Sequence, residues 1–186
     1  MTTTIQQNLI SGNEEYASAF NQGNLALPPA KQYLVLTCMD ARIDPAAAFG
    51  IELGDAHVIR NAGALASDAL RSIVISQQLL GTKEILLVKH TGCGMLTFQE
   101  ADAEGMVRKN LGEDAHAELQ SHNIGFGPFP DLEKAVKDDV ALLQRSKLVA
   151  DGVAISVVCG ERAVGDYYQT VSRLILDSFQ SSYVLV

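Results

Sequence analysis

The sequence predicts an α/β protein of three layers, in which a central, mostly parallel β-sheet of four or five strands is flanked by helices and preceded by an N-terminal helical arm. Short apolar runs of strand length alternate along the chain with segments of helical periodicity. Successive strand and helix units imply a parallel sheet with right-handed crossovers. With 186 residues and 47% hydrophobic content, the chain can bury one core, so we expect residues 1–186 to form a single domain.

The first elements are expected to be a helix and a buried strand. Apolar side chains recur at rough helical spacing over residues 4–20, and Gly23 and the Pro28-Pro29 pair then interrupt the chain. Residues 1–30 therefore form the predicted arm. Residues 33–38 are an almost continuously apolar run, which is typical of a central strand covered on both faces.

The later elements follow from caps, stops and apolar runs. Asp44 and Asp131 are good helix caps, Pro45 suits a first helical position, and Gly81 is a helix stop. The predicted order is a short helix over 44–49, a strand over 57–60, a helix over 67–80, a strand over 85–88, a helix up to about residue 108, a loop over 125–130, a helix over 131–146, a strand over 153–158 and a helix over 167–179. The pattern is weak between residues 108 and 125.

Charge and composition exclude several classes of protein. The formal net charge of −8, from 22 acidic and 14 basic residues, argues against a nucleic-acid partner. The N-terminus lacks a secretory or transit signal, and no segment approaches the ~20 apolar residues that cross a bilayer. We therefore expect a cytoplasmic protein with no membrane partner. Its three cysteines are too few for a disulfide scaffold and suggest metal binding, catalysis or burial.

Two predicted strands end in ligands that soft metals prefer. Cys38 ends the first strand, and His90 and Cys93 follow the third. The carboxyl ends of parallel strands meet at one edge of a sheet, so these groups can converge. Two thiolates and an imidazole suit zinc and leave a fourth tetrahedral position open, as in catalytic sites. Ordinary buried thiols and a structural histidine are the alternative, although Asp40 and Arg42, a charged pair directly after a buried strand, favour a functional site.

Three segments resemble the signature segments of the β-class carbonic anhydrases, particularly the short microbial and fungal members: Cys38-Met39-Asp40-Ala41-Arg42, Val58-Ile59-Arg60-Asn61-Ala62-Gly63 and His90-Thr91-Gly92-Cys93-Gly94. The similarity runs from about residue 8 to residue 103. It implies that Cys38, His90 and Cys93 bind one zinc ion per subunit and that Asp40 and Arg42 form the catalytic dyad. It also implies a homodimer, possibly a tetramer, in which the N-terminal arm lies across the partner subunit. Beyond about residue 105 the resemblance thins.

The activity implied by this resemblance is the hydration of a small linear molecule, first of all the reversible hydration of carbon dioxide to bicarbonate by a zinc-bound hydroxide. Hydrolysis of carbonyl sulfide on the same zinc site is the alternative, because carbonyl sulfide hydrolases belong to the same superfamily. Asp40 would pair with Arg42 in an active arrangement or ligate zinc in a closed one. The remaining hypothesis is a noncatalytic protein, which either binds zinc through four protein ligands or is a thiol-redox protein with a Cys38–Cys93 disulfide.

The other candidate residues have simpler interpretations. Buried or structural roles are expected for Cys159 and His57, and solvated loop positions for His116 and His122. Arg60 and Asn61 are expected to order the loops of the site and the dimer rather than to touch substrate. The phenylalanines of the 125–130 loop either line an apolar entrance or pack onto the core.

Overall fold

A computed structural model describes residues 2–160 and contains a four-stranded sheet in which every pairing is parallel. The strands are β1 (Tyr33–Cys38), β2 (Ala56–Asn61), β3 (Glu84–His90) and β4 (Ala154–Gly160). Their order across the sheet is β2-β1-β3-β4. The α/β class and the parallel sheet are confirmed, with four strands in the described part of the chain.

Six α-helices surround or extend this sheet within residues 2–160. They are α1 (Thr4–Ala19), α2 (Pro45–Phe49), α3 (Ala66–Gln78), α4 (Glu100–Leu111), α5 (Glu113–Ser121) and α6 (Leu132–Arg145). Asp44 caps α2 by accepting from the Ala46 and Ala47 amides, and Asp131 caps α6 by accepting from the Lys134 amide. Both caps stand where the sequence predicts them.

Two buried layers lie on opposite faces of the sheet. On one face, Leu34 and Leu36 of β1 pack with side chains of α3 and α6, among them Ile73 and Val140. On the other face, a smaller cluster around Val35 packs against the segment that ends α2. Strand β1 is therefore covered on both faces, which is why its sequence is continuously apolar.

The strand order places a crevice at one edge of the sheet. From β1 the chain crosses to β2 on one side, whereas from β3 it crosses to β4 on the other side. This divergence between neighbouring strands is a topological switch point, and open α/β sheets bind ligands outside the carboxyl ends of such strands. Cys38 ends β1 and His90 ends β3, so both lie at this crevice.

Helix α1 contributes nothing to the core. None of its residues is buried, although a capping box joins Thr3 and Gln6 at its start. Large apolar side chains of this segment are exposed to solvent: Ile5, Leu9, Ile10, Tyr16 and Phe20. The predicted helical arm is present, and its packing on a partner subunit stays a prediction.

The weakly patterned region after α4 is also helical. Residues 113–121 form α5, which packs against α4, so the prediction of a loop around His116 is wrong. The two helices bury little, and their scattered alanines and charges therefore carry no clear apolar stripe. The helix predicted over 167–179 lies outside the described residues. Among residues 2–160, no helix combines the length and apolar character needed to cross a bilayer.

Candidate metal centre

The three predicted metal ligands converge at the switch point. One ligand atom from each of Cys38, His90 and Cys93 lies within 4.8 Å of the other two, and all three residues are buried. Cys38 and His90 reach the crevice at the ends of adjacent strands, and Cys93 follows after a short turn. Within residues 2–160 no other group of three or more His, Cys, Asp or Glu side chains is arranged in this way.

The ring of His90 presents one nitrogen to this cluster. Its Nδ1 lies 3.0 Å from the Thr91 carbonyl oxygen, a contact that assigns the proton to Nδ1. Its Nε2 is buried and has no hydrogen-bond partner. A buried nitrogen lone pair left in this state is costly in a folded protein, and a metal ion would satisfy it.

The two thiols lie side by side. Cys38 Sγ is 3.8 Å from Cys93 Sγ, and neither cysteine is in a disulfide. The pKa of Cys38 is lowered to about 4, foremost by a hydrogen bond from Cys93, with His90 and the amides of Asp40 and Gly63 also contributing. The pKa of Cys93 is raised, because its proton is held by the Cys38 sulfur and because it is buried. A divalent cation would replace this shared proton. The donor set of two thiolates and one imidazole therefore fits zinc.

Asp40 and Arg42 form a two-point ion pair at the rim of the cluster. Arg42 Nε donates to Asp40 Oδ1 at 2.7 Å, and Arg42 Nη2 contacts Asp40 Oδ2 and donates to the Gly92 carbonyl at 3.2 Å. This guanidinium holds the pKa of the Asp40 carboxyl far below its usual range. Asp40 Oδ2 lies 3.9 Å from His90 Nε2. Of the two arrangements considered for Asp40, the structure has the one in which the carboxylate pairs with Arg42.

Arg60 supports the loop that carries Asp40. It donates from Nε to the Cys38 carbonyl at 3.1 Å and from Nη2 to the Asp40 carbonyl at 2.7 Å. Asn61 closes the turn over residues 62–64. Its side chain accepts from the Leu65 amide at 2.7 Å and donates to the Leu65 carbonyl at 2.8 Å. These contacts agree with a role in ordering the loops.

The turn after β2 requires glycine at position 63. Gly63 has a φ of 73°, in the left-handed region that favours glycine. A Cβ atom there would lie 2.7 Å from Phe129 Cε1 and 2.8 Å from Met95 Cγ. Phe129 and Met95 are buried with both cysteines and Ile43 in one apolar cluster. The backbone at Gly63 therefore packs closely against the apolar side chains that surround the two cysteines.

Sequence reasoning missed a buried ion pair next to this turn. Lys89 Nζ lies 2.8 Å from Asp139 Oδ2, and the two side chains are 1% and 7% exposed. Lys89 also donates to the carbonyl oxygens of Gly63, at 2.7 Å, and Ala64, at 3.2 Å. The signal was available in two places: a lysine at the end of an otherwise buried strand, and an acid at position 139 on the apolar stripe of α6.

The remaining candidates lie apart from the metal ligands. His57 Nδ1 is 2.8 Å from Ser76 Oγ, as expected of a structural histidine. Cys159 is only partly buried. His116 lies against Glu104 and Arg108 of α4 and is largely covered, so the solvated position predicted for it is wrong. Of the two histidines expected in solvated positions, His122 alone has a well-exposed side chain. In the 125–130 loop, Phe129 packs onto the core and Phe126 is half-buried.

Comparison with known proteins relates this geometry to characterised sequences. The carbonic anhydrase family model matches residues 33–158. Beta-carbonic anhydrase 1 of Mycobacterium tuberculosis strain H37Rv is 46% identical over 110 residues, which is 59% of this chain and 67% of that protein. The carbon disulfide hydrolase of Saccharolobus solfataricus is 40% identical over 165 residues, 79% of each chain. The solved structure of a carbonic anhydrase from Glaciozyma antarctica superposes with a TM-score of 0.80 at 44% identity, covering 86% of this chain and 94% of that one.

Proposed function

Because the chain belongs to the β-carbonic anhydrase family, whose members are zinc-dependent enzymes, we propose that it catalyses the reversible hydration of carbon dioxide to bicarbonate. We assign Cys38, His90 and Cys93 as the ligands of one zinc ion per subunit. The observation that carries this proposal is the buried, unpartnered Nε2 of His90 beside two sulfur atoms that lie 3.8 Å apart. Three protein ligands leave one tetrahedral position free, which is the catalytic pattern.

The metal and the protein divide the chemistry between them. When bound, zinc supplies a nucleophile near neutral pH, because it lowers the pKa of a water molecule to about 7. Asp40 stays ionised across this pH range, since its ion pair with Arg42 lowers its pKa. An ionised carboxylate accepts a hydrogen bond from the attacking oxygen and cannot protonate it. Asp40 therefore orients the oxygen lone pair towards the substrate carbon.

Arg42 fixes Asp40 rather than touching the substrate. Its two nitrogens engage both carboxylate oxygens, and its contact with the Gly92 carbonyl ties the pair to the loop between His90 and Cys93. A bidentate guanidinium sets the direction of a carboxylate as well as its charge. The dyad thus holds the acceptor oxygen at a constant position relative to the ligands.

The apolar side chains beside the ligands suit a nonpolar gas. Ile43, Met95 and Phe129 are buried with Cys38 and Cys93 in one cluster. Carbon dioxide has no strong hydrogen-bonding groups, so a mostly apolar site with few polar groups favours its entry over that of water.

The test uses one purified sample and a dead variant. We expect one zinc per chain by elemental analysis, and carbon dioxide hydration that is lost on treatment with a chelator and restored by zinc. Cys38→Ser removes one thiolate ligand and should abolish both zinc retention and activity, whereas Cys159→Ser, outside the cluster, should retain both. Full activity in a zinc-free sample would refute the proposal.

A sulfur analogue of carbon dioxide is the second candidate substrate. The relative that matches 79% of this chain is named for hydrolysis of carbon disulfide, and carbonyl sulfide is the intermediate case with one oxygen and one sulfur. Assaying the same zinc-loaded sample with carbon dioxide, carbonyl sulfide and carbon disulfide, and measuring hydrogen sulfide release, compares the substrates. Hydrogen sulfide release without measurable carbon dioxide hydration would replace the first proposal with the second.

We also infer that the chain forms a homodimer through α1. The helix exposes large apolar side chains and buries none of its residues, so folding of one chain leaves its apolar surface in water. A second copy is the partner that a closed, two-fold interface would supply. Sedimentation equilibrium of the full chain should give the mass of at least two subunits.

A further inference from the structure

We propose that Lys89 and Asp139 are positioning residues of the metal centre. Their buried ion pair holds the turn that lies beside Cys38, and through this turn it fixes the Cys38 sulfur in the place where it binds metal. Neither residue belongs to the ligand set or the dyad. The inference rests on the proposed function, because it concerns the zinc ligand Cys38.

The turn is attached to Cys38 through the sheet. Asn61 lies opposite Cys38 in the pairing of β1 with β2, and the Met39 amide donates to the Asn61 carbonyl at 2.9 Å. The turn begins at the next residue. Gly63 of this turn packs closely against Met95 and Phe129, which are buried in one cluster with Cys38. A shift of the turn would therefore move both the backbone beside Cys38 and the apolar side chains packed around it.

The turn does not hold its shape by itself. Gly63 has a φ of 73° and Ala64 a φ of 54°, so two consecutive residues lie in the left-handed region and the second of them carries a side chain. Such backbone persists only where surrounding contacts over-determine it. The carbonyl oxygens of these same two residues are the ones that accept from Lys89.

Besides the two carbonyl oxygens, the ammonium group of Lys89 contacts Asp139 and Phe129. Asp139 of α6 supplies the opposite charge at 2.8 Å, and the Phe129 ring centroid lies 4.6 Å away. Asp139 Oδ1 accepts from the Ala66 amide at 3.3 Å, at the first residue of α3. The pair thus joins β3, the turn and α6 into one unit directly behind the metal ligands.

Stability alone does not account for this pair. Replacing a buried ion pair by apolar side chains of similar volume is often neutral or stabilising, because two charges no longer have to be desolvated. What apolar residues cannot supply is a hydrogen-bond donor for the carbonyl groups of Gly63 and Ala64. Residues that support metal ligands from behind typically change metal affinity about 10–100-fold when they are replaced.

The test removes the ammonium without leaving a buried charge. In Lys89→Met/Asp139→Asn the pair becomes neutral, and the side-chain amide oxygen introduced at position 139 can still accept from the Ala66 amide. Gln77→Met is the matched control, since Gln77 is another buried polar side chain and contacts the Ala150 amide rather than the turn. Lys89→Met/Asp139→Leu, with two apolar replacements, serves if the first variant folds poorly.

Two measurements report on the metal site and its thiolate ligands. The first is the rate at which a colorimetric chelator takes zinc from the folded protein, and we expect it to rise about 10-fold or more in the double variant. The second is the thiolate-to-cobalt charge-transfer band of the cobalt-substituted protein. It should shift in wavelength, because the energy of the thiolate lone pairs depends on the groups that pack around the sulfur. Gln77→Met should leave both unchanged.

The outcomes separate this inference from the proposed function. A wild-type protein that retains no zinc refutes the proposed metal site itself. If the wild type holds one zinc, and a folded double variant releases it at the wild-type rate with an unchanged cobalt band, the pair is only structural and the inference is overturned. Faster release and a shifted band in a folded double variant, and not in the control, support it.

Discussion

Replacing Lys89 alone should cost much more stability than the loss of an ordinary ion pair. Lys89→Met keeps most of the apolar stem but leaves the Asp139 carboxylate buried without its partner. Removing one member of a buried pair typically costs about 3–5 kcal/mol, because the remaining charge is uncompensated. For a chain of this size each kcal/mol lowers Tm by about 2–4 °C, so the expected fall is roughly 6–20 °C.

A surface pair of similar geometry provides the control. Lys134 and Asp138 lie four residues apart on α6 with an N–O distance of 2.6 Å, close to the 2.8 Å of the buried pair, but both side chains are well exposed. Water screens this pair, and such helical pairs contribute about 0.3–0.5 kcal/mol. Lys134→Met should therefore lower Tm by no more than about 2 °C. The comparison isolates burial as the cause.

Urea and thermal unfolding, followed by circular dichroism, measure both changes. Wild type and variants must be compared at equal zinc saturation, because a metal that binds only the folded state adds to apparent stability. Adding Asp139→Asn to Lys89→Met should recover part of the loss, since the unpaired charge is then gone. If Lys89→Met unfolds at the same temperature as Lys134→Met, the buried pair is not formed in solution and the reasoning fails.

Three further changes test the dyad, the turn and the arm. In Arg42→Met the pKa of Asp40 should rise towards that of an ordinary carboxyl, because Arg42 is the main cause of its depression. The variant should then show an additional acid limb in its pH–rate profile, below the limb near pH ~7 that it shares with the wild type. Identical acid limbs would contradict this. Gly63→Ala should be destabilised by about 1–3 kcal/mol more than Gly81→Ala in urea unfolding, since the two φ angles are 73° and 74° but only the first Cβ would meet side chains below 3 Å. Equal losses of stability in the two variants would show that Met95 and Phe129 move aside for the added methyl group. Leu9→Glu should shift sedimentation towards the monomer without changing the circular dichroism spectrum, because this residue is exposed in the single chain; an unchanged mass would exclude α1 from the interface.

Most of the fold was accessible from sequence because its strongest signals are local. The apolar run of β1 predicts a strand buried on both faces, and Asp44 and Asp131 mark helix starts that the structure keeps. Helix α4 matches the helix predicted up to about residue 108, but its end and the whole of α5 were not predicted, for the converse reason. These helices bury no residue completely, so their sequences carry no apolar stripe from which periodicity could be read.

The residues of the site likewise fall into two groups: those that local sequence patterns predict and those that only the folded structure identifies. Cys38, Asp40 and Arg42 lie within five residues, and the strand-end rule brings His90 and Cys93 to them. Lys89 and Asp139 are 50 residues apart on a strand and a helix, and no local sequence pattern indicates that the two side chains form an ion pair. A buried charge predicts that a partner exists, but only the packing of α6 against β3 identifies it.

This difference bears on how the metal centre is held. The ligands and the dyad are presented by strand ends and the loops that follow them, so the parallel sheet sets their approximate positions. The finer position of Cys38 depends on a turn with two residues at positive φ, and that turn is fixed by a charge on β3 whose counter-charge comes from α6. Part of the rigidity at the site is therefore supplied by α6, which bears no ligand. Substitutions of Asp139 leave every ligand intact but should alter metal retention, whereas equally destabilising substitutions away from the turn should not.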